Sequence, residues 1–182
     1  MPSVIQTDQL KSADGNTTYL NSGTLSNLTF PEGHVIQTVF GSHLTADQSA
    51  TSSGSYVATS LTVQITPIQA NAKIFISTAI GSTHRDENAN HGGGFFMIYN
   101  TTGSAFVAGS AWRLYSVVNG GSQSAQYSYE SNTSWCVETL SGQQNTQQTY
   151  TLYVKSTQGD FYFMNGQSAD SPSKMIAQEL AV

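Results

Sequence analysis

The chain has 182 residues, a net charge of −5 and 9% charged residues, against about 25% in an ordinary soluble domain. That length fits one domain with a short appendage. Six Lys and Arg, scattered singly, exclude a phosphate-binding surface, and the single cysteine excludes an intrachain disulfide and a multi-cysteine zinc site.

The polar surface must therefore be built from Ser, Thr, Asn, Gln and Gly. Such a surface responds little to salt and steers partners weakly. No nucleic-acid partner is expected. No apolar stretch reaches the ~18 residues of a membrane helix. The start, MPSVIQTDQL, lacks a basic region followed by a long apolar one, so no secretory signal is expected. The chain should be made and kept in a cytoplasm, or assembled into something there, with no membrane partner.

Residues 1–33 differ in character from the rest of the chain. Asp14-Gly15 is a tight-turn signal. Thr17 to Leu20 and then Leu25, Leu28 and Phe30 make short extended pieces with few apolar residues each. Such a segment cannot bury a core by itself. It reads as an attachment arm or short stalk with Leu20, Leu25, Leu28 and Phe30 as its apolar contacts; the alternative is an N-terminal tail. From residue 34 a head domain begins. Val35 to Phe40 form a first strand, and Ser42 to Ser55 a loop rich in Ser, Thr and Ala. Leu61, Val63 and Ile65 alternate with Thr62, Gln64 and Thr66, which gives a half-exposed strand ended by Pro67. After the Gln69–Ala72 connection, the run around Ile74, Phe75 and Ile76 is more continuously apolar, as a strand buried deeper in a core would be.

Ser82 to Gly94 is the most polar segment. Phe95 to Tyr99, Phe106-Val107, Trp112 to Val118, Gln126 to Tyr129 and Thr133 to Leu140 read as further strands. Cys136 lies in the apolar run Trp135-Cys136-Val137 and is read as a small core residue, with a reactive thiol as the minor alternative. Gln148 to Ser156 alternates again, and Gln158-Gly159-Asp160 turns it into Phe161 to Met164, which predicts a hairpin. Lys174 to Val182 is the last strand. Its apolar residues would not sit so near an end unless that end were tied into the sheet. No window carries a capped helical period. Nine to eleven closely spaced strands predict an all-β antiparallel sandwich, jelly-roll-like, at residues 34–182.

Gly33 to Ile80 resembles a head domain common in virion proteins of marine tailed phages. The likeness is carried by the G-H-V-I-Q-x-V opening, the S-Y-V-A-T-S-L-T-V-x-I-T-P strand and the A-x-A-K-I entry to the next. The closing T-Y-T-L-Y-V-K-S and S-P-S-K-M-I-A-Q-E-L strands carry it as well. Leu10 to Phe30 looks like the short repeats that join such heads to fibre shafts or to the particle. The resemblance implies a compact β-sandwich head, usually trimeric, on a phage particle. The chain departs from a typical fibre in lacking a long shaft.

Charge gathers only in His84-Arg85-Asp86-Glu87-Asn88-Ala89-Asn90-His91. His84, Asp86, Glu87 and His91 are suitable metal ligands; a solvated loop or inter-subunit patch is the bland alternative. No Gly-x-Ser-x-Gly, no dinucleotide fingerprint and no pairing of carboxylates by spacing point to catalysis, so neither an enzyme nor a cofactor is expected. Tyr115, Tyr127, Tyr129 and Tyr153 sit among Ser, Gln and Asn. Tyrosines in such company stack on sugars or protein surfaces, or pack between subunits. The expected protein is a homotrimeric virion structural protein, partnered by itself and by tail or major capsid protein. Two roles compete: a short tail fibre or receptor-binding head that meets a host-surface glycan or protein, and a head decoration protein that stabilises the capsid. A host lectin-like binding module is the third reading.

Overall fold

The computed structural model describes residues 9–11, 18–21, 24–25, 30–44, 48–50, 54–81, 83–85, 91–117, 127–128, 132–156, 161–163 and 173–182. Sixteen strands and no helix are found among them. They are Gln9–Lys11 (β1), Thr18–Asn21 (β2), Thr24–Leu25 (β3), Val35–Leu44 (β4), Gln48–Ala50 (β5), Val57–Ile65 (β6), Lys73–Ile80 (β7) and Thr83–Arg85 (β8). The remaining eight are His91–Asn100 (β9), Ala105–Phe106 (β10), Trp112–Val117 (β11), Tyr127–Ser128 (β12), Asn132–Thr139 (β13), Gln148–Ser156 (β14), Phe161–Phe163 (β15) and Ser173–Leu180 (β16). The chain divides into two compact units, Met1–Glu32 and Gly33–Val182.

The first unit holds the three-stranded antiparallel sheet β1-β2-β3. Leu10 pairs with Leu20, and Leu20 with Leu25, so three leucines occupy one cross-strand row.

The second unit is a sandwich of two antiparallel sheets. One has the order β13-β7-β16-β4 and is called the front sheet. The other has the order β10-β9-β14-β6, with β11 continuing the β10 edge along β9, and is called the back sheet. Taking the eight long strands in sequence, the orders are 6-3-8-1 and 5-4-7-2, the double Greek key of a jelly roll. Each chain crossing from sheet to sheet at one end passes through a short strand. Those four strands, β12-β8-β15-β5, form a cap sheet. At the opposite end the 140–145 segment lies along the β6–β7 connection. Leu140 donates to Ala72 O, Gly142 to Ala70 O and Asn145 to Pro67 O.

Alternation builds the core. Leu61, Val63 and Ile65 of β6 meet Ile74 and Ile76 of β7, with Phe96, Ile98, Leu152 and Met175 around them, all fully buried. Each such side chain contributes roughly 1.5–3 kcal/mol by leaving water. The last strand is tied in as expected: β16 lies between β7 and β4, and Ala181 exchanges backbone hydrogen bonds with Gly33 and His34.

The front and back sheets meet closely along β4 and β6. Gly41 leaves no room there: a β-carbon would stand 2.2 Å from Thr62 O. Beside it, Ser42 Oγ accepts from Thr62 N and donates to the Ser60 carbonyl. One hydroxyl thus stands in for ladder bonds between strands of different sheets. At the opposite end Glu179, fully buried, accepts from Ile68 N and Gln69 N and from Gln37 Nε2. It fixes the β6–β7 connection whose N–H groups no strand satisfies.

Three expectations are corrected. The expected hairpin of β14 with residues 161–164 does not form; β15 pairs with β8 and β5 instead. Residues 42–55 are not one loop: β4 runs to Leu44 and β5 comes after it. β7 is not buried on both sides but alternates, with Phe75 on the outward side. Its apolar run serves two environments, the core and an outward surface.

Candidate functional site

The back sheet presents an aromatic cluster on its outer side. Alternation sends Phe96, Ile98 and Asn100 of β9 inward and leaves Phe95, Met97 and Tyr99 outward and half-buried. On β14 the same rule puts Tyr153 and Lys155 outward. Phe106 of β10 pairs with Tyr99 across the edge. The rings of Tyr99 and Phe106 stand 5.0 Å apart, edge to face, Tyr99 and Tyr153 5.0 Å apart, and Phe106 and Tyr153 5.7 Å apart. Tyr56 joins at 5.3 Å from Phe106.

A bulge in the β6–β14 pairing brings Tyr56 there. Thr151 pairs with Thr62 and Tyr153 with Ala58, so β6 carries extra residues opposite Leu152. The buried Thr59 hydroxyl accepts from Leu61 N within that bulge. Bulges re-aim side chains in this way beside binding sites. Burial holds the Tyr56 phenol above its usual range, so it stays a neutral donor. The Lys155 ammonium lies 5.2 Å from the Tyr56 ring centre and 5.5 Å from that of Phe95, within reach of the negative ring faces.

The front sheet presents a different outer side. Cross-strand register puts Trp135, Ser77, Ile176 and Phe40 in one row, and Val137, Phe75, Gln178 and Thr38 in the next. Trp135 is 63% exposed and Phe40 78%. Phe75 stacks on Trp135 at 5.8 Å. The two rows hold no charged residue. Lys73 and Lys174 stand only in the rows that flank them.

Between the faces lies a buried polar cluster. Tyr150 donates to Glu138 Oε2 at 2.6 Å, and Asn100 Nδ2 donates to the same oxygen at 2.9 Å. Burial, then the Glu138 bond and charge, pushes the Tyr150 phenol far above its usual value. Burial, then Glu138, pushes the Cys136 thiol up to about 12. Cys136 is therefore a protonated core residue with no nucleophilic thiolate at neutral pH.

The sequence-derived candidates separate. Tyr153 sits in the aromatic cluster. Tyr115 lies on β11, paired with Gly93, and Tyr127 on β12 in the cap sheet, paired with His84. Tyr129, Asp86, Glu87 and Leu28 lie outside the described residues. His84 is on β8 in the cap sheet, whereas His91 opens β9 in the back sheet. Among the described residues no group of three His, Cys, Asp or Glu is placed to hold a metal ion. Leu20 and Leu25 pair across β2 and β3, and Phe30 is 37% exposed. Sequence reasoning missed Tyr56, Phe95, Tyr99, Phe106 and Lys155. The usable signal was the alternation within 95–99, which looks like a continuous apolar run.

No protein-family model and no curated protein matches the chain. Among solved structures it is similar to the Eiger TNF from S. frugiperda, at 7% identity and a TM-score of 0.41, over 80% of this chain and 93% of that one. It is also similar to the CBM22-1 xylan-binding domain of Paenibacillus barcinonensis Xyn10C, at 11% identity and a TM-score of 0.24, over 84% of this chain and 96% of that one. The jelly-roll assignment stands on this chain's own strand order.

Proposed function

We propose that this chain is a non-enzymatic structural protein of a tailed-phage virion, a homotrimeric jelly-roll head that acts as a short tail fibre or receptor-binding head. The observation that carries the reading is the front-sheet row of Trp135, Ile176 and Phe40. A monomer would leave Trp135 and Phe40 in water, and an uncharged apolar face of this kind is characteristic of a subunit interface. The phage context and the trimeric state come from the resemblance of residues 33–80 and of the closing strands. The low charge suits assembly that must hold over a wide range of salt. Residues 1–33 attach the head to the particle.

Localisation on purified particles by cryo-electron microscopy, with capsid-symmetric and tail-focused maps, tests this reading. Density on the tail or at its collar supports it. Density at capsid threefold positions replaces it with a decoration role, and absence from the particle overturns both. Deletion of residues 1–33 should leave the head folded and strip it from the particle; retained incorporation would remove the arm from the account.

A further inference from the structure

We propose that the outer side of the back sheet is a carbohydrate-binding platform, and that it takes an acidic saccharide. The inference rests on the reading of this chain as a receptor-binding head, whose contact surface it names. Four rings, Tyr56, Tyr99, Phe106 and Tyr153, gather with neighbouring centres 5.0 to 5.7 Å apart on a solvent-facing side of the sandwich. They come from β10, β9, β14 and the residue before β6, so the fold assembles the cluster and local sequence does not. Phe106 remains 38% exposed. Tyrosine offers a flat face for the C–H side of a sugar ring and a hydroxyl for its polar edge.

Charge selects the kind of saccharide. Lys155 is held over Tyr56 and Phe95, and no carboxylate among the described residues pairs with it. Register places Arg113 on the other side of Phe95: Arg113 pairs with Phe95, and Phe95 with Lys155. Residues 113 and 155, two of the chain's six Lys and Arg positions, thus share one backbone register row with Phe95, and the Lys155 ammonium is the charge placed over the rings. The chain as a whole is acidic, so an anionic ligand finds complementary charge here and repulsion elsewhere. One fixed cation is too few to hold a phosphate backbone. Lys155 suits a carboxylate of a polyuronate or a sulfate of a sulfated glycan, whose sugar rings can lie on the aromatic cluster.

The test uses the full chain on an array of polyuronate, sulfated galactan and neutral glucan oligosaccharides, followed by titration calorimetry on the hits. Acidic oligosaccharides should bind, and neutral ones should not. Lys155→Gln should weaken binding about tenfold and flatten its salt dependence, while Lys155→Arg restores it. Phe106→Ala should weaken binding about as much, with the circular dichroism spectrum unchanged. Neutral glucans bound equally well by the wild type and Lys155→Gln would overturn the acidic assignment. A chain located on the tail that binds no saccharide, or only a host protein, would overturn this inference alone. A chain absent from particles that still binds acidic glycans would overturn the virion reading and leave the site standing.

Discussion

The two outward sides of the sandwich are built by the same alternation and carry different chemistry. The front sheet presents Trp135, Phe40, Val137 and Ile176 in adjacent rows without a charge among them. The back sheet presents tyrosines, phenylalanines and a lysine held over two rings. A flat uncharged side gains most when all of it leaves water at once, which favours another protein subunit. A tyrosine-rich side with a fixed cation supplies directional bonds and a charge preference, which favour a smaller polar ligand. The difference is informative because both sides cover one core. What each side does is decided by the residues that the core does not need.

The largest effect should come from breaking the frame that holds both sides. Gly41→Val must push the Thr62 carbonyl away, since even a β-carbon would meet it at 2.2 Å. The β4–β6 seam should open, with a loss of about 3 kcal/mol in denaturant unfolding. Next, Trp135→Ser combined with Phe40→Ser should weaken self-association by about 3 kcal/mol, read as a fall in sedimentation mass, with the fold retained. Tyr99→Ala should do the reverse: association unchanged, and a stability loss of about 1–2 kcal/mol from its contacts with Phe106 and Tyr153, read by thermal unfolding. If either variant produced the other's phenotype, the division of labour between the sides would be wrong.

The smallest effect concerns the core that the sides share. The Cys136 thiol is raised from 9.0 to about 12 in the folded protein. The unfolded chain therefore releases that proton first. Stability is full below about pH 9 and falls as pH rises toward 12, since the unfolded state then binds fewer protons than the folded one. Tyr150, raised from 10.0, adds to the loss above about pH 10. Unfolding midpoints measured from pH 8 to 11 should fall, and Cys136→Ala should reduce the slope above pH 9.

Much of the sandwich was legible in the chain. The alternation at 61–66 and 148–156 and the apolar character of the last strand specify β6, β14 and β16 directly. What was not legible depends on distant pairing. β15 looks like the partner of β14 because only a short turn signal separates them. It is drawn away because the crossings between sheets gather into the cap, at separations no local pattern encodes. The apolar runs at 74–76 and 135–137 misled for a physical reason. In a strand, neighbours face opposite ways, so Ile74, Ile76 and Cys136 point into the core while Phe75, Trp135 and Val137 point out. An unbroken apolar run therefore spans two environments, the core and an outward surface. The aromatic platform was visible through Tyr153 alone, since its other members converge from three further segments.

The sedimentation-equilibrium mass of the full chain tests the central claim most directly. The account predicts a trimer whose mass falls to that of the monomer when Trp135 and Phe40 are both replaced by Ser. A wild-type chain that remains monomeric at micromolar concentration would contradict it.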